Sequence, residues 1–268
     1  MPFLLLHNIG ASDIVGVASD ARLTNGVEKL VSWLQFGGWK VFCITTSYEP
    51  YAIHLTHKLG IYAHNVASTV LPWNRLRLTL GKEELALVKQ AEDDILTMPV
   101  TDGERIKRSL DSFFKEKLVA SGWGEVMMEV KPVGGRRKVA ALDSFADKYG
   151  QPLANWVVVG AGLSDASLLE AVEGAGGLAI AFNASEPALS RATMSLAATS
   201  ISPLASVLEV WRKNQRREAE KLTRGKEKGG SDDKGYFHWL VGKQDLSEII
   251  GLHQRMRRLV WAYPSLNV

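Results

Sequence analysis

The chain has 268 residues, 46% of them hydrophobic and 23% charged, a composition close to the globular average that argues against wholesale disorder and fibrous repeats. Its 32 Lys and Arg and 29 Asp and Glu give a net charge of +3, which is too balanced to indicate a nucleic-acid-binding protein. The single cysteine, Cys43, excludes an internal disulfide, and no stretch approaches the roughly 20 apolar residues that cross a bilayer. Residues 1–6 do not resemble a signal peptide, so we expect a cytoplasmic protein without a membrane partner.

Short apolar runs alternate with helical patterns along much of the chain. Buried strands are predicted over residues 3–6 (FLLL), 39–45 (WKVFCIT), 156–159 (WVVV) and 178–182 (LAIAF). Helical spacing predicts helices over residues 27–34, 49–59 and 168–172. Continuous apolar strands that alternate with helices predict an α/β fold with a doubly wound parallel sheet covered on both faces.

Two predominantly helical regions interrupt this alternation. Residues 73–129 are predicted to form a helical, cap-like insertion, and residues 204–268 a helical C-terminal extension. The predicted α/β core then consists of residues 1–72 and 130–203.

The C-terminal extension contains two features that bear on partners. Residues 211–228 carry eight basic and three acidic residues and predict either a solvated helix or a contact with an anionic partner. This segment lacks the interleaved aromatic residues that stack on bases, so nucleic acid is not expected. Residues 253–263 continue an apolar stripe that either packs in the core or docks a protein partner or a second copy; its members are Leu252, Met256, Leu259 and Val260.

A glycine-rich turn follows the predicted strand at residues 156–159 and opens a helix. Gly160 and Gly162 fit the first two positions of a dinucleotide-binding G-x-G-x-x-G pattern, but the third position is Asp165. The next strand, residues 178–182, is not followed by the carboxylate that would hold a ribose. A dinucleotide site is therefore not favoured.

The same turn resembles the fourth motif of the haloacid dehalogenase (HAD) superfamily, a strand followed by G-D-x-x-x-D and a helix. Residues 131–138 (KPVGGRRK) resemble its third motif, in which Lys138 would neutralise phosphate and carboxylate charge. Residues 44–47 (ITTS) resemble its second motif, in which Ser47 or Thr46 would hold a phosphate oxygen. The resemblance covers roughly residues 1–200 and implies a HAD-like Rossmannoid core.

The first motif of that superfamily is degenerate in this chain. The superfamily has D-x-D after its first strand; the first Asp is the nucleophile and the second is the general acid/base. In this chain His7 aligns with the nucleophile and Ile9 with the acid/base. In the fourth motif Ala161 replaces one metal-binding carboxylate, so Asp165 is the carboxylate of that motif that is still present. Because magnesium usually needs one or two carboxylates, we expect at most a weak magnesium site at Asp165 and no other cofactor.

These substitutions favour a pseudo-phosphatase, a non-catalytic binding, regulatory or assembly component. Thr46, Ser47 and Lys138 are the candidate residues for binding phosphate or a phosphorylated metabolite. The alternative is an active magnesium-dependent phosphohydrolase with a non-standard first motif, in which Asp13 or Asp20 is the nucleophile and residues 15–19 form the strand before it.

Each candidate residue also has a simpler structural interpretation. Lys138 would be a surface lysine, Ser47 and Asp165 helix caps, and His7 a buried histidine. A metal site is not favoured at the three histidines around residues 49–64, because they lack the H-E-x-x-H pattern; they are His54, His57 and His64. Cys43 is expected to be an inert core thiol.

Overall fold

The computed structural model describes residues 1–79 and 81–261, apart from the side chains at 214, 215 and 261. It divides into two compact units. The helical unit comprises Met1–Ala21, Ser47–Leu55 and Ser68–Pro132. The sheet unit comprises Arg22–Thr46, Thr56–Ala67 and the described residues from Val133 onward. Neither unit is continuous in sequence.

The secondary structure consists of helices α1–α13 and strands β1–β6. In chain order the helices are α1 Pro2–Leu6, α2 Ala11–Asp20, α3 Val27–Phe36, α4 Glu49–Lys58, α5 Trp73–Leu78, α6 Lys82–Leu96, α7 Gly103–Ser112, α8 Gly124–Glu129, α9 Arg136–Tyr149, α10 Ala166–Gly174, α11 Glu186–Leu189, α12 Leu204–Lys226 and α13 Ser247–Trp261. The strands are β1 Cys43–Tyr48, β2 Val66–Thr69, β3 Val157–Gly160, β4 Leu178–Phe182, β5 Met194–Ala197 and β6 Tyr236–Trp239.

The N-terminal apolar run is a helix, so the predicted strand at residues 3–6 is wrong. Pro2 stands in the first turn of α1, where its fixed φ suits a helix and its missing N–H costs no hydrogen bond. The leucines that follow are good helix formers, and Leu5 is buried in the core of the helical unit. An apolar run of four residues is too short for its period to distinguish a strand from a helix.

The helical unit has its own core, built by α1 and by the helices of residues 73–129. Trp123 is fully buried, and its Nε1–H donates to the carbonyl of Leu76 and to the hydroxyl of Thr79. Phe113, Leu118 and Val88 pack in the same cluster. The predicted helical character of residues 73–129 is therefore confirmed for the described residues.

The sheet unit contains a four-stranded sheet in the order β3-β4-β5-β6, and β1 pairs separately with β2. Strands β3, β4 and β5 are parallel, as predicted, with Val158 opposite Ala179 and Ile180 opposite Met194. The predicted strand at residues 178–182 is confirmed by β4, and that at residues 156–159 by β3. The strand predicted at residues 39–45 begins later, at Cys43.

The C-terminal region is not entirely helical, which corrects the prediction for residues 204–268. Strand β6 pairs antiparallel with β5, and His238 lies opposite Ser195. Its four residues, YFHW, are too short a run to stand out between the long helices α12 and α13. The sheet is therefore mixed rather than wholly parallel.

Both faces of the four-stranded sheet are covered by helices. Alternate residues of β4 face opposite sides: Leu178 and Ile180 belong to one core cluster, and Ala179 and Ala181 to another. The first cluster includes residues of α3 and α12, and the second includes residues of α9, α10 and α13. This two-sided packing explains why β4 contains only apolar residues.

Candidate functional site

A buried lysine links two strands of the sheet unit. Lys138 is the third residue of α9 and is only 5% exposed. Its Nζ donates to the carbonyl oxygen of Ile44 in β1 at 3.0 Å and to Oδ1 of Asp165, after β3, at 2.7 Å. Lys138 is therefore not a surface lysine, and the structure brings together two of the residues predicted for the site.

Asp165 is held as a carboxylate by the groups around it. Burial alone would raise its pKa, but the hydrogen bond from Lys138 and those from the backbone N–H groups of Gly162 and Ala161 hold the pKa below its ordinary value. Both of these N–H groups donate to Oδ2 at 2.9 Å. Asp165 thus holds the glycine-rich turn and pairs with Lys138. It stands at the N-cap position of α10, but its side chain makes no capping hydrogen bond to that helix, so its interpretation as a cap of that helix is wrong.

The turn before α9 lies beside the end of β1. The N–H of Gly135 donates to the carbonyl of Ser164, and a methyl group added at Gly134 would lie 3.3 Å from Cγ2 of Thr46. Gly135 has a φ of 51°, a left-handed conformation that favours glycine. The segments that resemble the second, third and fourth HAD motifs therefore meet within the sheet unit around Thr46, Lys138 and Asp165.

Gly160 has no side chain because Asp165 packs directly against it. A Cβ at Gly160 would lie 2.8 Å from Cβ of Asp165, whereas at Gly162 the nearest atom would be 3.8 Å away. We expect Gly160→Ala to displace Asp165 and lower the free energy of unfolding by about 1–3 kcal/mol. Chemical denaturation measures this cost, with Gly162→Ala as the matched control; equal effects at the two positions would contradict the packing explanation.

The residues aligned with the first HAD motif lie in the helical unit and do not follow a strand. His7 follows α1, is exposed, and its Nε2 lies 2.6 Å from Oε1 of Glu92. Its interpretation as a buried histidine is therefore wrong. Ile9 lies in the loop between α1 and α2. Neither residue occupies the strand end that the alignment assumed.

The alternative nucleophiles also lack a strand. Residues 15–19 belong to α2, so the strand predicted before Asp20 is wrong. Asp13 lies in the first turn of α2, where its Oδ2 accepts from the N–H of Gly10 at 2.7 Å. Ser47 lies within β1, two residues before α4 begins, and belongs to the helical unit.

One candidate residue carries no motif signal in the sequence. The N–H of Ser185, after β4, donates to the carbonyl of Ala161 at 2.8 Å, which brings this serine to the glycine-rich turn. Its Oγ is buried and has no hydrogen-bond partner among the described residues. A buried hydroxyl without a partner is unfavourable unless something outside the chain binds it. A small-residue turn after a strand gives no sequence signal for this position.

Magnesium does not fit Asp165 well. One carboxylate oxygen accepts from Lys138 and the other from two backbone N–H groups, so the negative charge is already compensated. Within residues 1–79 and 81–261, no group of three or more His, Cys, Asp or Glu side chains is arranged to hold a metal ion. Nε2 of His54 instead lies 3.2 Å from the hydroxyl of Ser19.

The single cysteine, Cys43, is half-buried. Burial raises the pKa of its thiol, and the positive charge of Lys138 lowers it by less, so the pKa stays above its ordinary value.

The two C-terminal features, the basic segment and the apolar stripe, are each partly packed against the protein and partly exposed. In the basic segment, Arg216 pairs with Glu173 of α10, and Arg224 pairs with Glu220 on its own helix. In the apolar stripe, Met256 is fully buried whereas Leu259 is 42% exposed, and the last residues of the predicted tail, from 262 on, lie outside the described residues. In the described part of the chain, no helix combines the length and the apolar character needed to cross a bilayer.

Comparisons with known proteins support the fold. No protein-family model matches the chain, and no curated protein does. Among solved structures, the chain is similar to gene product AF1437 from Archaeoglobus fulgidus, with a TM-score of 0.81 and 24% sequence identity. The match covers 97% of this chain and 77% of the archaeal chain. The α/β fold is therefore shared with a solved structure, and this similarity concerns the fold alone.

Proposed function

We propose that the chain is a HAD-like pseudo-phosphatase, a non-catalytic component that binds a phosphate-type anion at Lys138. The observation that carries the proposal is the position of the Lys138 ammonium. It has three N–H donors, of which two bind Ile44 and Asp165, and no described residue accepts from the third. The backbone N–H of Lys138 donates to the carbonyl of Gly135, and Gly134 lies beside Thr46.

The charge balance of the site favours binding over chemistry. Asp165 pairs with Lys138 and compensates its charge, so an anion gains from directed hydrogen bonds rather than from net charge. The buried hydroxyl of Ser185, whose N–H binds the carbonyl of Ala161, is a further candidate donor. Such an arrangement suits reversible binding of phosphate or a phosphorylated metabolite.

The alternative, an active phosphohydrolase with a non-standard first motif, has less support. It requires a nucleophilic carboxylate beside a proton-transferring group at the end of a strand. Asp13 and Asp20 lie in a helix, and Asp13 already binds the backbone at Gly10. Magnesium-dependent hydrolysis of p-nitrophenyl phosphate, lost in Asp165→Asn, would favour this alternative over the pseudo-phosphatase.

Phosphate titration by calorimetry tests the binding proposal. A hydrogen bond to a charged group contributes about 1.5–3 kcal/mol, so we expect Lys138→Met to weaken phosphate binding by about tenfold or more. Asp165→Asn removes the competing negative charge and should tighten binding. Arg136→Gln, an exposed neighbour in the same first turn of α9, serves as the matched control and should have little effect.

The outcomes separate specific binding from general attraction to positive charge. Equal weakening by Lys138→Met and Arg136→Gln would contradict the site. So would weaker binding in Asp165→Asn, because that variant keeps the lysine and loses only the charge that neutralises it.

A further inference from the structure

The ion pair between Lys138 and Asp165 places a hydrogen-bond donor next to a hydrogen-bond acceptor. The Lys138 ammonium has three N–H groups, and two of them are accepted by the carbonyl of Ile44 and by Oδ1 of Asp165. Among the described residues, none accepts from the third. Because only 2.7 Å separates Nζ from Oδ1, a ligand that accepts from this N–H group also lies close to the carboxylate.

The carboxylate of Asp165 can accept one more hydrogen bond. An ionised carboxylate offers about four lone-pair sites on its two oxygens. Oδ2 accepts from the backbone N–H groups of Ala161 and Gly162, and Oδ1 accepts from Lys138. The remaining site is on Oδ1, the oxygen beside the ammonium, and no residue in the described part of the chain donates to it. A further partner at this oxygen must therefore bring a donor of its own.

Asp165 keeps this acceptor character at neutral and mildly alkaline pH. Burial raises the pKa of its carboxyl group, but the hydrogen bonds from Lys138, Gly162 and Ala161 together hold the pKa below its ordinary value. An ionised carboxylate cannot donate, so an oxygen without a proton that approaches Oδ1 meets a like charge. An oxygen that carries a proton forms a hydrogen bond at the same place.

A small solute can reach this carboxylate from within the sheet unit. Asp165 and Ile44 both line a cavity of about 600 Å³. These are the two residues that accept from the Lys138 ammonium, so the cavity borders the ion pair. The side chain of Asp165 is 16% exposed, compared with 6% for Lys138. An anion that enters the cavity therefore meets the carboxylate together with the ammonium, and cannot bind the lysine alone.

We propose that Asp165 makes this site select hydrogen phosphate, an oxyanion that carries its own O–H group, over oxyanions that carry none. The inference rests on the proposed binding of phosphate at Lys138. One phosphate oxygen accepts from Lys138, and the P–OH group of the same ion donates to Oδ1 of Asp165. Sulfate and the dianion of a phosphate monoester offer only acceptors, so one of their oxygens faces the carboxylate without a proton between them. The ligand class is inorganic phosphate rather than a phosphate ester.

Three dianions of equal charge separate the effect of the O–H group from that of charge. At about pH 8 inorganic phosphate keeps one P–OH group, sulfate has none, and methyl phosphate has lost its last one because the second pKa of a phosphate monoester is about 6. Calorimetric titration of the full chain with each ion, at constant ionic strength, gives three dissociation constants. Sulfate and methyl phosphate lack a hydrogen bond to a charged group, so we expect inorganic phosphate to bind about tenfold or more tightly than either.

Asp165→Asn shows whether this residue causes the selectivity. The amide oxygen can still accept from the N–H groups of Ala161 and Gly162, which leaves the NH₂ group at the position of Oδ1. The site then offers only donors, so sulfate binding should tighten more than phosphate binding, and the preference for phosphate should disappear. Asp143→Asn is the matched control: it removes the same charge from an exposed position of α9 and should keep the preference.

The results distinguish the selectivity from the binding on which it rests. If sulfate or methyl phosphate binds the unchanged chain as tightly as phosphate does, and Lys138→Met weakens that binding, the selectivity is overturned and the proposed function stands. A preference for phosphate that persists in Asp165→Asn also overturns the selectivity. Absence of binding by all three dianions, or binding that Lys138→Met does not weaken, overturns the proposed function and the selectivity with it. The comparison of the dianions uses the unchanged chain, so it does not depend on the folding of a variant at Asp165.

Discussion

Asp165→Ala is expected to lower the free energy of unfolding by about 3 kcal/mol, because it leaves a buried ammonium without its counter-charge. The side chains of Lys138 and Asp165 are 6% and 16% exposed, so water can replace little of the lost interaction. The variant also frees two backbone N–H groups, those of Ala161 and Gly162. Urea denaturation at neutral pH measures the change.

An exposed ion pair provides the matched control for this effect. Glu170 of α10 pairs with Arg191, and these side chains are 61% and 45% exposed. Glu170→Ala should therefore cost about 0–1 kcal/mol. The double variant Lys138→Met/Asp165→Ala should cost much less than the sum of its single variants; additivity within about 0.5 kcal/mol would show that the two side chains do not depend on each other.

Lowering the pH from 7 to 5 is expected to cost about 2 kcal/mol of stability through His253 alone. This histidine is fully buried in α13, and burial, followed by the charges of His238 and Arg257, lowers its pKa to about 3. Its Nδ1 accepts from the N–H of Ala184 at 2.8 Å, so the neutral ring carries its proton on Nε2. Protonation of Nδ1 would remove that hydrogen bond.

The direction of this pH dependence follows from proton binding. Between the unfolded pKa of 6.5 and the folded value of about 3, the unfolded chain binds the proton and the folded chain does not. The stabilisation is therefore complete above pH 6.5 and is lost as the pH falls through this window. Burial also lowers the pKa of His238, which adds to the loss in the same direction.

Denaturation at several pH values tests this prediction, with His253→Asn as the variant. The asparagine side-chain oxygen can still accept from Ala184, but the group does not titrate. We expect a lower stability at pH 7, because the smaller side chain leaves a packing defect, and a shallower slope between pH 7 and 5. An unchanged slope would contradict the assignment of the acid sensitivity to His253.

Sequence patterns identified the parts of the fold that have strong local signals. The apolar runs of β3 and β4 each lie between a turn and a helix, and both were predicted. Lys138 also carries a signal, because it lies four residues before Leu142 on the buried face of α9. That spacing explains its burial.

The remaining features depend on tertiary contacts that leave little trace in the sequence. The run at residues 3–6 became a helix because Pro2 starts a helical turn and the helical unit offers a partner core. Strand β6 forms because β5 presents an edge to it, and the hydroxyl of Ser185 reaches the glycine-rich turn only through the path of the chain after β4. Short segments of this kind are decided by their neighbours rather than by propensity.

The most direct test of the central claim is a titration of the ¹⁵N-labelled chain with inorganic phosphate, followed by amide chemical shifts. Binding at Lys138 predicts saturable shifts at Gly135, whose carbonyl binds the N–H of Lys138, and at Ala161 and Gly162, whose N–H groups bind the Asp165 carboxylate that pairs with the lysine. These shifts should be absent in Lys138→Met. Shifts confined to the exposed basic residues of α12, or no saturable shifts at all, would contradict an anion site at Lys138.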